Sequence, residues 1–193
     1  MDNDWWIPII KAVVFAVCMT LVGVWLARSR NRPRPDHEAL VLKHPLSTLI
    51  IGVVCSGFFA AIAILSNVYA NPMTTIVTTS VFVGFALMGL PLIADYRFAR
   101  HVLTSDGIHF GRMSGARGYL VWADVSRVTY STSIKWFRIE TRSGTVARFS
   151  VMLMGLPEFA KAILENVDGP AIDRGSREVL RSTAAGNPPS VMG

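Results

Sequence analysis

The sequence predicts three membrane-spanning α-helices followed by a small β-rich domain, with antiparallel strands and one C-terminal helix. Three observations carry this reading. Of 193 residues, 51% are hydrophobic and only 17% are charged, with a mean hydropathy of +0.41. Residues 45–94 form a run of 50 without Asp, Glu, Lys, Arg or His. After residue 95 that run gives way to short alternating segments punctuated by Gly, Ser and Asp. Such a composition fits neither a disordered chain nor an ordinary soluble one. One crossing of the hydrocarbon takes about 20 apolar residues, so the uncharged run holds two crossings.

The first helix is expected over residues 5–27, where Lys11 is the only charge and can snorkel toward the headgroups from near one end. Asp2 and Asp4 precede it in place of a basic patch, so it reads as a retained anchor and not as a cleaved signal. Trp5, Trp6 and Trp25 lie near its ends, as expected of rings that favour membrane interfaces. The second and third spans, residues 47–69 and 73–94, are separated by Asn71-Pro72, since proline lacks the N–H a helix needs and restricts the residue before it. Pro91 predicts a kink near the end of the third span.

Orientation follows from the connecting segments. Arg28, Arg30, Arg32, Arg34 and Lys43 lie between the first two spans, and Arg97 and Arg100 follow the third, whereas residues 67–75 hold no Lys or Arg. Positive charge is retained on the cytoplasmic side, which puts the N-terminus outside and the polar half in the cytoplasm. The chain then divides into residues 1–27 (N-terminus and first span), 28–46 (basic cytoplasmic loop), 47–94 (helical hairpin), 95–167 (cytoplasmic domain) and 168–193 (a mobile Gly, Ser, Ala and Pro-containing tail, with a short helix around 176–181).

Strands are expected at 98–104, 107–112, 117–122, 125–131, 134–141 and 145–151, separated by Ser105-Asp106-Gly107, Ser114-Gly115 and Ser143-Gly144. Phe137, Ile139 and Thr141 fall on one face and Trp136, Arg138 and Glu140 on the other. Gly155-Leu156-Pro157-Glu158 opens a helix whose apolar stripe is Phe159, Ile163, Leu164 and Val167.

The segments Leu103-Thr104-Ser105-Asp106-Gly107-Ile108, Val121-Trp122-Ala123-Asp124-Val125, Trp136-Phe137 leading to Arg142-Ser143-Gly144, and Gly155-Leu156-Pro157-Glu158-Phe159, placed after a membrane hairpin, resemble the bacterial pleckstrin-homology-like (bPH) membrane proteins. The resemblance covers about 70 residues and the hairpin before them. It implies a small curled antiparallel sheet closed by a helix, and does not by itself fix a function.

No nucleophile elbow, phosphate loop, dinucleotide fingerprint or zinc helix is present, and no cofactor is expected. Asp36-His37-Glu38 with His44 lacks ligand spacing and reads as a solvated linker, while His101 and His109 beside Asp106 offer a conceivable acid–base pair or ordinary sheet-surface histidines. Residues 95–167 hold ten Lys and Arg against six Asp and Glu. Candidate lipid or phosphate contacts are Arg28, Arg30, Arg32 and Arg34, which topology alone also explains, together with Arg112 and Arg117, which flank the flexible amides of a turn. Gly52, Ser56 and Ala60 in the second span, and Ser80 with Gly84 in the third, form small-residue faces for helix packing, within the hairpin or against another subunit. The expected partners are membrane lipids and a protein or larger membrane complex, not nucleic acid, because aromatic interleaving is sparse. The expected role is a noncatalytic membrane-anchored binding or scaffold protein, with an accessory structural subunit as the alternative.

Overall fold

The computed structural model describes Trp6, Val13, Val17, Thr20, Val24, Trp25, Arg28, Ser29 and residues 40–69 and 75–190. The eight described residues of the first predicted span and its flank are helical; the rest of that span, with Arg30, Arg32 and Arg34, lies outside the described residues. The hairpin is formed by α1 (Leu46–Val68), α2 (Ile76–Met88) and α3 (Leu90–Phe98). Two stretches, Leu46–Val68 and Ile76–Phe98, are long and apolar enough to cross a membrane. At 23 residues each they extend about 34 Å, against about 30 Å of hydrocarbon.

The helix ends follow from local chemistry. Pro45 precedes α1 in extended conformation, and Thr75 caps α2 by accepting the Thr78 N–H at 3.2 Å. The third span is interrupted at Gly89, between α2 and α3, where Pro91 in the first turn of α3 has no N–H to continue the ladder. The same glycine lets the backbones meet. A Cβ on Gly52 would fall 2.8 Å from the Ile93 side chain and 2.9 Å from the Gly89 carbonyl, and the Ser56 hydroxyl donates to the Ala86 carbonyl at 2.8 Å. Farther along, Phe59 stacks on Phe82 and Phe85, and the Asn67 amide donates to Thr79 Oγ1 at 3.0 Å.

The polar domain contains two antiparallel sheets. The first runs β1-β2-β3-β4, with β1 (Val41–Leu42), β2 (His101–Leu103), β3 (Gly107–Gly111) and β4 (Arg117–Val121). The second runs β5-β6-β7, with β5 (Val125–Ser131), β6 (Trp136–Thr141) and β7 (Val146–Ser150). The Trp122-Ala123-Asp124 turn joins them. Trp122 is buried and donates from Nε1 to the Thr104 carbonyl at 3.3 Å, while Asp124 accepts the Ser143 hydroxyl at 2.6 Å. The Trp-x-Asp segment is thus a corner brace: one residue pins the end of β4 to the β2–β3 turn, and the other pins the β6–β7 turn.

Three expectations are corrected. The strand expected at 98–104 starts only at His101, because α3 continues through Phe98. The basic loop is not wholly a loop: Val41 pairs with Val102, Leu42 with His101, and Met154 N–H donates to the Lys43 carbonyl at 2.9 Å. The domain therefore begins before the hairpin and resumes after it. The tail carries packed helical structure over residues 174–184. After α4 (Leu156–Asn166), a helix α5 (Arg174–Ala184) packs on β5, where the Tyr130 N–H donates to Ser176 Oγ at 2.7 Å and Leu180 is fully buried. A core of Phe137, Phe149 and Phe159, with ring centroids 4.8 to 5.8 Å from Phe159, joins sheet to helix.

Candidate functional site

β7 pairs with β6 on one side and borders a cleft of about 460 Å³ on the other. Parity along the strand decides what faces that cleft. The Val146 carbonyl accepts the Arg112 Nη2 at 3.3 Å from across the cleft, while Val151 N–H donates to Lys135 on the β6 side. Because N–H and C=O of one residue point the same way in a strand, Val146 and Arg148 present their backbone groups to the cleft and Ala147 and Phe149 present theirs to β6, while the Ser150 carbonyl, also turned away from β6, accepts the Leu153 N–H at 3.2 Å.

The opposite wall is the end of β3 and the turn after it. Phe110 lies over Gly118, where a Cβ would come within 2.5 Å of its ring, and Arg112 lies 5.7 Å above the Phe110 centroid. The turn is closed by Arg112 N–H donating to the Ala116 carbonyl at 2.8 Å, with Gly115 at φ 83°, a left-handed value that favours glycine. Register brings the remaining cations in: Arg138 on β6 stands opposite Arg148 on β7, both exposed, and Trp136 stands opposite Ser150. Three guanidinium groups, Arg112, Arg138 and Arg148, therefore border an apolar strip of Phe110, Trp136 and Leu153. Glu140 pairs with Arg138 at 3.0 Å, and Asp95 reaches the far end of the cleft from α3.

The cleft ends on two buried histidines. His44 and His101 are 6% and 3% exposed, and the Nδ1 atom of each has no hydrogen-bond partner. Burial holds both well below the ordinary 6.5, at about 4, and for His101 the neighbouring His44 adds to the effect. Both are neutral at pH 7. His101 packs edge-on to Phe149 at 4.9 Å, whereas His109, which pairs with Val102, lies on the other face and stacks on Tyr119 at 4.3 Å. The conceivable His101–His109 acid–base pair is therefore not assembled. Among the described residues no group of three or more His, Cys, Asp or Glu can hold a metal ion, and Asp36, His37 and Glu38 lie outside them.

Of the cations picked from sequence, Arg112 borders the cleft; Arg117 sits beside the β3–β4 turn opposite Gly111 and is not part of the cleft's lining. Arg28 is exposed on the first helical segment. The small-residue faces separate as well: Gly52 and Ser56 lie in the α1 crossing and Ala60 is half-buried, while Ser80 is exposed and a Cβ on Gly84 would meet nothing within 4 Å. Arg138 and Arg148 were missed as a pair because they become neighbours only through strand register; the available signal was a single arginine on the polar face of each of two adjoining strands. No family model, curated protein or solved structure matches this chain.

Proposed function

We propose that this chain is a noncatalytic membrane-anchored binding protein, whose pleckstrin-homology-like domain sits at the cytoplasmic face of a bacterial inner membrane and receives an extended, carboxylate-bearing segment of a partner protein along β7. The first helical segment serves as a third span, with its N-terminus outside. The four-plus-three arrangement of antiparallel strands and the helix after β7 support the domain reading. The observation that carries the function is the edge of β7: Arg112 occupies the Val146 carbonyl, the position to which an added strand would donate an N–H. Tethering beside the membrane raises the local concentration of such a partner, so a weak contact suffices.

The test uses the full chain in mild detergent. Arg148→Pro removes a cleft-facing N–H while sparing the ladder to β6, and Arg148→Glu reverses the local charge. Proteins carrying an acidic extended segment should co-purify with the wild-type chain and be lost with both variants, while thermal unfolding moves little. A set of bound proteins indifferent to both substitutions would overturn the reading.

The alternative, an accessory subunit of a larger membrane complex, is favoured by one observation: Gly84 and Ser80 leave a small-residue surface of α2 uncovered. Gly84→Leu should then release the chain from a complex that survives Arg148→Pro; co-migration unaffected by Gly84→Leu would remove this support.

A further inference from the structure

A second cavity, of about 510 Å³, lies where the start of α1, the end of α3 and the first helical segment meet the domain. Among the described residues its lining is basic, with no Asp or Glu: Lys43 enters from the strand side, and Arg97 and Arg100 enter from the end of α3. The mouth is apolar, formed by Leu46 and Ile50, which are 58% and 41% exposed on α1. Trp25 completes the wall from the first helical segment, where Ser29 and Ser47 join their buried hydroxyls at 2.5 Å. His44 also lines it, and its buried Nδ1 without a partner offers a hydrogen-bonding atom that an incoming group would satisfy.

Position selects the ligand. The cavity sits at the domain-side ends of both apolar stretches, one beginning at Leu46 and the other ending at Phe98, which is headgroup depth if these helices span the bilayer. A soluble phosphate ester would use the cations and leave Leu46 and Ile50 idle. A phospholipid uses both ends: its anionic headgroup meets the cations and its acyl chains follow the exposed face of α1. We propose that this cavity binds the phosphate headgroup of one anionic phospholipid of the cytoplasmic leaflet, through Lys43, Arg97 and Arg100. The inference rests on the transmembrane reading of the helices and is independent of the β7 cleft.

The full chain is reconstituted into phosphatidylcholine vesicles containing phosphatidylglycerol, extracted in mild detergent, and the lipid it retains is quantified by native mass spectrometry. The wild-type chain should retain phosphatidylglycerol in preference to phosphatidylcholine. Retention should fall roughly fivefold for each arginine removed in Arg97→Gln and Arg100→Gln, and likewise in Lys43→Gln, while Arg117→Gln leaves it unchanged. Millimolar inorganic phosphate should not displace the lipid. Equal retention of both lipids, retention insensitive to all three cavity variants, or displacement by inorganic phosphate would each overturn the proposal. Circular dichroism of each variant checks that lost retention is not lost fold; if one variant unfolds, the other two decide. A chain washed from the vesicles by alkaline carbonate would instead overturn the transmembrane reading, and the proposal with it.

Discussion

The hairpin and the domain are built with opposite polarity. In α1 the buried positions are Ser47, Thr48, Gly52 and Ala63, while Val54, Phe58, Ile64 and Val68 are exposed. In the domain Phe137, Phe149 and Phe159 are fully buried, and Arg127, Arg138 and Arg148 are exposed. A lipid surrounding for the hairpin, the reading proposed above, accounts for the reversal. Water drives large apolar groups inward, whereas in lipid, as apolar as leucine itself, nothing favours burying a phenylalanine over a glycine, and close backbone approach through small residues becomes the main source of contact.

The largest expected effect sharpens this contrast by making the same substitution in both halves. Phe159→Ala removes a ring packed 4.8 Å from Phe149 and 5.8 Å from Phe137, and should cost about 3 to 5 kcal/mol in denaturant unfolding followed by tryptophan fluorescence. Phe58→Ala, at a site 58% exposed on α1, should cost less than about 1 kcal/mol in a lipid-like detergent. Comparable losses would mean that α1 packs against something other than lipid.

Acid probes the seam between the halves. His44 and His101 keep values near 4 in the folded chain against 6.5 when unfolded, so the unfolded state takes up protons first as the pH drops. Stability is fully present above pH 6.5 and is withdrawn as the pH falls toward 4, by an amount on the order of 3 kcal/mol for each histidine. Melting temperature measured across that interval should fall steeply for the wild-type chain and more gently for His44→Gln and His101→Gln. Parallel profiles would show that another group sets the acid sensitivity.

Glycines test the hairpin at a smaller scale. Gly89→Ala drives a Cβ into the Ser56 hydroxyl and the Gly52 carbonyl and should cost about 1 to 3 kcal/mol, whereas Gly84→Ala enters open space and should leave thermal unfolding in detergent nearly unchanged. A cost at Gly84 equal to that at Gly89 would indicate that the outer face of α2 is occupied.

Elements with strong local periodicity were legible in the sequence. The 50-residue uncharged run, divided by Asn71-Pro72, yields two helical stretches, and the alternation of Phe137 and Ile139 with Trp136 and Arg138 yields β6 with its two faces separated as the alternation requires. Long-range pairing left little trace. β1 has two residues, too few to show a period, and it becomes a strand only because Leu42 meets His101 across the whole hairpin. The cleft failed for the same reason: Arg112 was visible as a turn cation, but its company with Arg138 and Arg148 depends on registers that no local pattern encodes.

The last helix shows how little apolar surface a docked element needs, and it carries the smallest expected effect. Residues 174–184 read as polar because Val179, Leu180 and Ala184 are their main apolar groups, yet fully buried Leu180, with Val179 and Ala184 packed beside it, and two hydrogen bonds, Tyr130 N–H to Ser176 Oγ and Asp173 N–H to the Val128 carbonyl, hold α5 against β5. The Ser176 hydroxyl accepts the Tyr130 N–H at 2.7 Å and donates to Asp173 Oδ2 at 3.2 Å, and Asp173 caps the helix. In Ser176→Ala the Tyr130 N–H loses its acceptor at a strand edge covered by the helix, which should cost about 1 to 2 kcal/mol. Hydrogen exchange localises the effect: the amides of α5 and of Tyr130 should exchange faster together, while those of α1 stay protected. If only α5 changed, the helix would be an appendage on the domain; if nothing changed, the packing around Leu180 would hold it, and Leu180→Ala would be the substitution that frees it.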